Sequence, residues 1–265
     1  MIDVDGPGAN VATLEPELVD GRLTALLAKL GDIKPDACCA GAAGAEVEVG
    51  RIRLGKVLER TFPRCRVTVV HDARLVLSAA QQESGIALIA GTGSVAYGRA
   101  ADGREAQRGG WGWMVGDEGG GAWVTREAAR EVMRRADAGL PLGQLGSALL
   151  KSFGAGDATQ LTAKLHELRE PMQWAAAAQV VFETAESDRG AMEIVGRAAS
   201  ALAALARDIQ TSLAIDGPIV LAGGLLLNQP RLETAVREQI SAPCVRLDEP
   251  PVEGAVRLAA LLLQS

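Results

Sequence analysis

Residues 86–98 read IALIAGTGSVAYG, and this stretch decides the fold. Its first five residues are apolar and predict a buried strand, which ends at Gly91-Thr92-Gly93-Ser94. Glycines let a backbone approach other groups closely, and consecutive amide N–H groups can surround an anion. Glycines also close ordinary hairpins. The stretch therefore predicts two strands joined by a turn, with structural and phosphate-binding roles both open.

The segments before this stretch alternate between helix and strand. Leucine spacing predicts a helix over residues 16–31, and a second helix is predicted over 49–61. Residues 37–41 indicate a short buried strand, and the β-branched run at 66–70 indicates another. This alternation is typical of parallel strands joined by helical crossovers, so the sequence predicts an α/β protein.

The second half is mainly helical and contains one further clear strand. The predicted elements are helices over much of 123–213, a strand at 218–224, a helix near 233–240, a short strand near 244–247 and a last helix after 250–251. Three predicted strands thus end in loops suited to chemistry: those at Asp72, at residues 91–94 and at Gly223-Gly224. Open α/β sheets bind ligands beyond the carboxyl ends of their strands.

Composition excludes several classes of partner. The 265 residues have a formal net charge of −6 and no cluster of Lys and Arg, which argues against nucleic acid and anionic membrane. Apolar runs are shorter than the roughly 20 residues of a membrane helix. The four cysteines include no C-x-x-C pair, which predicts buried thiols rather than a disulfide framework or a zinc site. We expect a cytoplasmic protein.

Each polar candidate has a structural alternative. Asp72 could cap the following helix or accept a proton in phosphoryl transfer. Asp117 could begin a helix or bind sugar hydroxyls. His71 is expected to point away from Asp72 because side chains alternate along a strand, and His166 is expected on an exposed helix. Neither histidine is predicted to bind a metal.

Five segments together are more specific than any one of them. In this order they resemble the N-acetylglucosamine kinase and BadF/BadG/BcrA/BcrD ATPase family, which belongs to the sugar kinase, actin and Hsp70-type superfamily. The resemblance covers essentially the whole chain. The segments are VVHDARLVLSAA (69–80), IALIAGTGSVAYG (86–98), GGWGWMVGDEGGGAW (109–123), IVLAGGLLLNQP (219–230) and PPVEGAVRLAALLL (250–263).

The resemblance implies two ribonuclease H-like, actin-like ATPase domains around a cleft for nucleotide and substrate. The first, incomplete domain would comprise residues 1–82 and 250–265, and the second would comprise 83–249 with helical insertions. The implied activity is phosphorylation of an amino sugar by ATP with Mg²⁺, most simply of N-acetylglucosamine to its 6-phosphate. A homodimer is also implied.

The resemblance also implies roles for particular residues. Asp72 matches the catalytic base that deprotonates the sugar hydroxyl. The residues that match ATP-binding positions are Gly91, Thr92, Gly93, Ser94, Gly223 and Gly224. Those that match substrate-binding positions are Asn10, Ser94, Val95, Gly110, Trp111, Gly112 and Asp117. No metal ligands are implied among these residues.

The main departure from the family pattern is at the N-terminus. Family members begin with a strand and a D-G-G-G-T-[KR] phosphate loop, whereas this sequence begins MIDVDGPGAN. We expect that a start placed too far downstream, or a shortened chain, explains the missing loop, and a degenerate homologue is the second interpretation. Val95, Trp113 and Gly120 also differ from common family residues, which leaves the sugar least certain.

Three alternatives to a kinase stay open. One is an ATPase similar to activators of 2-hydroxyacyl-CoA dehydratases, but the cysteines lack the context of an iron-sulfur cluster. Another is a catalytically impaired protein that still binds sugar. The third is a purely structural protein, in which the three loop motifs would occur together by coincidence.

Overall fold

The computed structural model describes residues 4–7, 11, 14–42, 44–45 and 47–264. The chain divides into two compact units. Unit 1 comprises the described residues up to Glu83 together with those from Leu247 onward, and unit 2 comprises Ser84–Arg246. Asn10, predicted to contact substrate, lies outside the described residues.

Helices and strands follow one another in the order expected of an α/β protein. The strands are β1 (Ala37–Ala42), β2 (Arg66–His71), β3 (Gly85–Ala90), β4 (Ser94–Arg99), β5 (Glu105–Gly109), β6 (Ile219–Ala222) and β7 (Cys244–Arg246). The helices are α1 (Pro16–Ala28), α2 (Glu48–Thr61), α3 (Asp72–Ala79), α4 (Gly121–Asp137), α5 (Gly143–Phe153), α6 (Ala158–Glu167), α7 (Pro171–Ala175), α8 (Gln179–Thr184), α9 (Arg189–Leu213), α10 (Gly224–Asn228), α11 (Pro230–Arg237) and α12 (Pro251–Leu262).

Unit 1 contains two parallel strands and the helices around them. β1 and β2 pair in parallel, with Ala37 opposite Arg66 and Ala42 opposite His71, as the alternation of elements predicts. α3 begins at the residue after β2, so Asp72 lies at the carboxyl end of that strand. The C-terminal helix α12 packs against α3, where the Ser78 hydroxyl donates to the Gly254 carbonyl at 3.1 Å.

Unit 2 is built on a five-stranded mixed sheet in the order β5-β4-β3-β6-β7. β3 and β4 form the antiparallel pair predicted from residues 86–98. β3 also pairs in parallel with β6, and β6 with β7. The carboxyl ends of β3 and β6 therefore lie side by side, which brings the turn at residues 91–93 next to Gly223.

In the core of unit 2, helix α9 packs against this sheet. Ile86, Leu88 and Leu221 of the sheet are fully buried, and so are Leu202 and Ile209 of α9. The stripe of apolar residues expected on this helix is therefore confirmed as its buried face. Burying a leucine or isoleucine side chain stabilises a fold by about 1.5 to 3 kcal/mol, so this contact holds the strand ends firmly in place.

The edge strand β5 is absent from the sequence-based prediction. Its sequence, EAQRG, contains only one apolar residue, and it pairs with β4 at the edge of the sheet. Polar side chains are common on such an edge because they remain in contact with water. Among the described residues, no helix is both long and apolar enough to cross a bilayer.

Candidate active site

The turn between β3 and β4, residues 91–94, is called the glycine turn below. Inside it, the N–H of Gly91 donates to the Gly93 carbonyl at 2.9 Å. The buried Ser94 hydroxyl donates to the carbonyl of Glu118 at 2.8 Å, so it stabilises the turn. Neither the N–H of Thr92 nor that of Gly93 has an acceptor in the part of the chain that the structure describes. These two amides are free to bind a ligand.

The N-terminus of α4 lies against the glycine turn. The N–H groups of Gly121 and Ala122 donate to the carbonyls of Gly91 and Thr92 at 2.8 and 3.0 Å. The N-terminal end of a helix bears a partial positive charge, and α4 is 17 residues long. The turn therefore lies at a helix N-terminus, and the dipole of such an end favours an anion such as a phosphate.

Gly223, at the end of β6, lies against the last residue of β3. Its φ of +91° and its closeness to Ala90 both require glycine, because a Cβ would overlap the Ala90 carbonyl oxygen. Positions 91 and 224 are more open than position 223, because a Cβ on either would meet no atom nearer than 3.9 Å. Bare backbone therefore borders open space at both turns.

Asp117 is a buried carboxylate held close to the glycine turn. Its Oδ1 accepts from the N–H of Gly112 at 3.2 Å, and the backbone N–H of Ser94 also donates to the carboxylate. Burial raises the pKa of Asp117 above its usual value, and the charge of Glu118 raises it further. The two N–H donors and the charge of Arg126 oppose this shift in pKa.

The contact between Gly93 and Asp117 is the closest in the site. A Cβ on Gly93 would overlap Oδ2 of Asp117 and lie 2.8 Å from its Cγ. Gly120 packs equally closely, because a Cβ there would lie 2.6 Å from the Gly93 carbonyl carbon. Residues 24 positions apart thus form one surface, with free amides beside a carboxylate.

The segment 110–116, called the tryptophan loop, lies next to this surface. The N–H of Gly110 donates to the Ser94 carbonyl at 2.9 Å. Trp111 is 79% exposed, whereas the Trp113 ring lies 6.0 Å from that of Trp174. Arg126 donates to the Trp113 carbonyl at 2.6 Å. One tryptophan therefore anchors the loop, and the other presents an open aromatic surface.

Asp72 belongs to unit 1 and is the first residue of α3. Its Oδ1 accepts from the N–H of Ala73 at 2.8 Å, and its side chain is 47% exposed. Among the described residues Oδ2 has no partner. Burial opposes ionisation, but hydrogen bonding from His71, the charge of His71 and the Ala73 N–H together hold the pKa of Asp72 below its usual value.

The expectation for His71 is wrong. Its Nδ1 lies 3.0 Å from Oδ1 of Asp72 instead of pointing away from it. The alternation of a strand stops here because the chain turns into α3 and His71 takes the N-cap position, with Nδ1 lying 3.0 Å from both Oδ1 of Asp72 and the backbone nitrogen of Ala73. Histidine is not a common N-cap residue, so the sequence contains no clear signal for this contact. His166 is exposed on α6, as expected.

The four cysteines are free thiols and are half-buried, rather than fully buried as the sequence predicts. Burial raises the pKa values of Cys38, Cys39, Cys65 and Cys244, that of Cys39 to about 11. They therefore remain protonated at neutral pH. Within the described ranges, no group of three or more His, Cys, Asp or Glu residues is placed to hold a metal ion.

The structure brings most of the predicted site residues together on unit 2. They are Gly91, Thr92, Gly93, Ser94, Val95, Gly110, Trp111, Gly112, Asp117, Gly223 and Gly224. Asp72 lies in unit 1. Sequence reasoning missed His71 and also Arg126, whose contact with a backbone carbonyl has no sequence signal.

Comparison with known proteins identifies related chains. A family model described as the BadF/BadG/BcrA/BcrD ATPase family matches residues 17–259. The N-acetylmuramic acid/N-acetylglucosamine kinase of Clostridium acetobutylicum is 34% identical over 114 residues, which are 42% of this chain and 37% of that protein. The N-acetyl-D-glucosamine kinase of Dictyostelium discoideum is 27% identical over 197 residues, which are 70% of this chain and 61% of that protein.

A solved structure shares the fold. The crystal structure of a candidate N-acetylglucosamine kinase from Chromobacterium violaceum superimposes with a TM-score of 0.74, at 24% identity, over 97% of this chain and 89% of that chain. The matches to the two curated relatives span 37% and 61% of their lengths. The expected α/β fold is confirmed.

Proposed function

We propose that this chain, which belongs to the BadF/BadG/BcrA/BcrD ATPase family, transfers a phosphoryl group from ATP to the 6-hydroxyl of an amino sugar, first of all N-acetylglucosamine. The observation that best supports the proposal is the contact between Gly93 and Asp117. In this contact a turn with two free amides lies beside a carboxylate, so a phosphate bound at the turn would lie next to a hydroxyl bound at Asp117. Phosphoryl transfer to an alcohol needs donor and acceptor next to each other.

The glycine turn would bind the phosphates of ATP. The free N–H groups of Thr92 and Gly93 offer two donors, and the end of α4 adds positive potential. The bare backbone at Gly223 and Gly224 would accommodate the adenosine. The Ser94 hydroxyl is already bonded to Glu118, so its contribution to binding is indirect.

Asp117 and the tryptophan loop would bind the sugar. An ionised carboxylate accepts hydrogen bonds from two hydroxyls at once, and Asp117 is held in place by the N–H groups of Gly112 and Ser94. The exposed ring of Trp111 offers an apolar surface for the C–H face of a sugar ring.

Asp72 would act as the general base. Its Oδ1 is bonded to Ala73, whereas Oδ2 is available to accept the proton of the attacking hydroxyl. A pKa below the usual value keeps Asp72 ionised at neutral pH, as a base requires. The proton passes to Asp72 as the hydroxyl oxygen bonds to phosphorus and ADP departs.

Mg²⁺ would accompany ATP and neutralise charge on its phosphates. Since the described residues lack a ready cluster of ligands, the phosphates and water would supply most of its coordination. We also propose a cytoplasmic homodimer, which light scattering of the purified protein would test.

The test is a measurement of ADP release by the purified chain with ATP and Mg²⁺. The sugars are N-acetylglucosamine, N-acetylmuramic acid, N-acetylmannosamine, glucosamine and glucose. We expect turnover with the first of these and a loss of about 10²- to 10⁴-fold in Asp72→Asn, with ATP affinity retained. Replacement of His166 by Asn, on an exposed helix, is the matched control.

Other outcomes would identify the alternatives. ATP hydrolysis that no sugar stimulates would indicate an ATPase of another role. Sugar binding by calorimetry without turnover would indicate an impaired homologue. Turnover that appears only after upstream residues of the gene are added would support the expectation that the first phosphate loop is required.

A further inference from the structure

His71 and Asp72 form a contact pair at the junction of β2 and α3. The imidazole Nδ1 lies 3.0 Å from Oδ1 of Asp72 and 3.0 Å from the backbone nitrogen of Ala73. The histidine side chain is 11% exposed, whereas that of Asp72 is 47% exposed. One member of the pair is therefore packed into unit 1, and the other reaches solvent.

The positions of these atoms require a proton shared within the pair. The Ala73 N–H can donate to either Nδ1 or Oδ1, and both lie within 3.0 Å of its nitrogen. Without a second proton, lone pairs on Nδ1 and Oδ1 would face each other and repel. An N–H at Nδ1, carried by the neutral Nδ1–H tautomer or by the imidazolium, removes this repulsion by donating to the carboxylate as a charge-assisted hydrogen bond, and the Ala73 N–H then donates to Oδ1.

We propose that His71 is a positioning residue for the reaction, which holds Asp72 through Oδ1 so that Oδ2 is presented to the attacking hydroxyl. The inference rests on the proposed function, in which Asp72 is the base. It assigns His71 no contact with substrate. In this pair, Oδ1 of Asp72 is anchored by His71, and Oδ2 accepts the proton of the attacking hydroxyl.

Two arginines near α3, Arg74 and Arg257, act on other groups of unit 1. Arg74, two residues further on, lowers the pKa of Cys39 on β1. Arg257 of α12 donates to the Ser78 and Ala79 carbonyls at the opposite end of α3. His71 is the side chain that lowers the pKa of Asp72. Loss of His71 should therefore raise this pKa and move the acidic limb of the kcat/KM profile to higher pH.

Two substitutions separate positioning from structure. Leucine at position 71 fills similar space but cannot donate, so His71→Leu should lower kcat about tenfold through misplacement of Asp72, with the KM for ATP unchanged. Asparagine can donate from Nδ2 without titrating. His71→Asn should therefore recover kcat to within about threefold of the natural protein, by keeping the hydrogen bond. A merely structural role would leave the acidic limb where it is in both variants.

A second measurement does not depend on catalysis. The chain contains only two histidines, so the imidazole signals of His71 and His166 can be followed by NMR as the pH changes. If Asp72 stabilises protonated His71, then Asp72→Asn should lower the pKa of His71. This result would support the pair even if no sugar were phosphorylated.

The results that overturn the inference are distinct from failure of the proposed function. An unchanged titration of His71 in Asp72→Asn would show that the two side chains are not coupled. A pH profile of His71→Leu that superimposes on that of the natural protein would show that His71 does not position the base. Absence of turnover in every form, with coupled titration present, would contradict the kinase proposal and leave the pair established.

Discussion

The two units of this protein bury their strands to very different degrees. In unit 2, β6 is entirely buried and β3 nearly so, within one continuous core. In unit 1, every residue of β1 is only half-buried, and in β2 Val70 is the one buried residue. Parallel strands are usually covered on both faces. The comparison teaches that the glycine turn follows a strand buried in a large core, whereas Asp72 follows a half-buried strand and is held by α3, five of whose eight residues are buried.

The largest effect is expected from removing a buried charge in unit 2. Asp188 accepts from the N–H groups of Gly190 and Leu145, at 2.9 and 3.1 Å, and from Arg135 at 3.3 Å. Asp188→Ala leaves the buried N–H groups of Gly190 and Leu145 without this acceptor and removes one partner of Arg135, which keeps its bond to Glu131, so it should lower the free energy of unfolding by about 3 to 5 kcal/mol. Urea denaturation measures the loss, and hydrogen exchange should show it in residues 84–246.

The matched control for this change is Asp157, which caps α6 on the surface. Its carboxylate accepts one N–H, that of Gln160 at 2.8 Å. Asp157→Ala should cost about 1 kcal/mol, the usual value of an N-cap. Equal losses in both variants would mean that the core of unit 2 tolerates unpaired donors, which would remove the contrast between the units.

The next effect concerns the contact between α12 and α3 in unit 1. A Cβ on Gly254 would overlap the carbonyl oxygen of Leu75 and lie 2.8 Å from the Ala79 nitrogen. Gly254→Val should therefore push the helices apart, at a cost of about 1 to 3 kcal/mol. Hydrogen exchange should accelerate in α3 and α12, and turnover should fall because Asp72 is displaced, while ATP affinity stays the same.

Gly55 of α2 provides the control within unit 1. A Cβ there would meet Val69 at an ordinary 3.9 Å, so Gly55→Ala should keep the fold and add helix stability of about 0.5 to 1 kcal/mol. Equal acceleration of exchange in both units of the Gly254→Val variant would contradict the view that unit 1 depends on this contact by itself.

A smaller effect is expected where the glycine turn meets Asp117. In Gly93→Ala the new Cβ would displace the carboxylate, which can rotate because it ends a side chain. Stability should change by less than about 1 kcal/mol, whereas sugar affinity should fall about tenfold, a loss of roughly 1.4 kcal/mol. Isothermal titration calorimetry measures the affinities for the sugar and for ATP. Gly196→Ala, at an open position on α9, should leave both affinities unchanged.

Sequence patterns could predict the elements whose burial is periodic. The run at 86–90 and the stripe of α9 have the spacing of buried elements, and the structure places them there. β5 could not be predicted because edge pairing tolerates polar residues. The contact of Gly93 with Asp117 depends on backbone packing between distant residues, and that of His71 on a helix start, so neither leaves a periodic signal.

The smallest effect tests whether Glu131 stabilises unit 2 through its charge or through its packing. Glu131 accepts hydrogen bonds from Arg134 and Arg135, at 2.8 and 2.7 Å. These hydrogen bonds, together with the charges of the two arginines, lower the pKa of Glu131 from 4.5 to about 2. Because the folded-state pKa is the lower one, the unfolded chain takes up the proton first. The stabilisation is therefore complete above about pH 4.5 and is lost as the pH falls toward 2.

Glu131→Gln should lower the free energy of unfolding by less than about 1 kcal/mol at neutral pH, and this deficit should shrink as the pH is lowered. Glu193→Gln, which removes the partner of the exposed Arg189, should show almost no deficit at any pH. A deficit in Glu131→Gln that is constant with pH would assign the contribution to packing, and unit 2 would then owe its stability to its apolar core without help from this charged network.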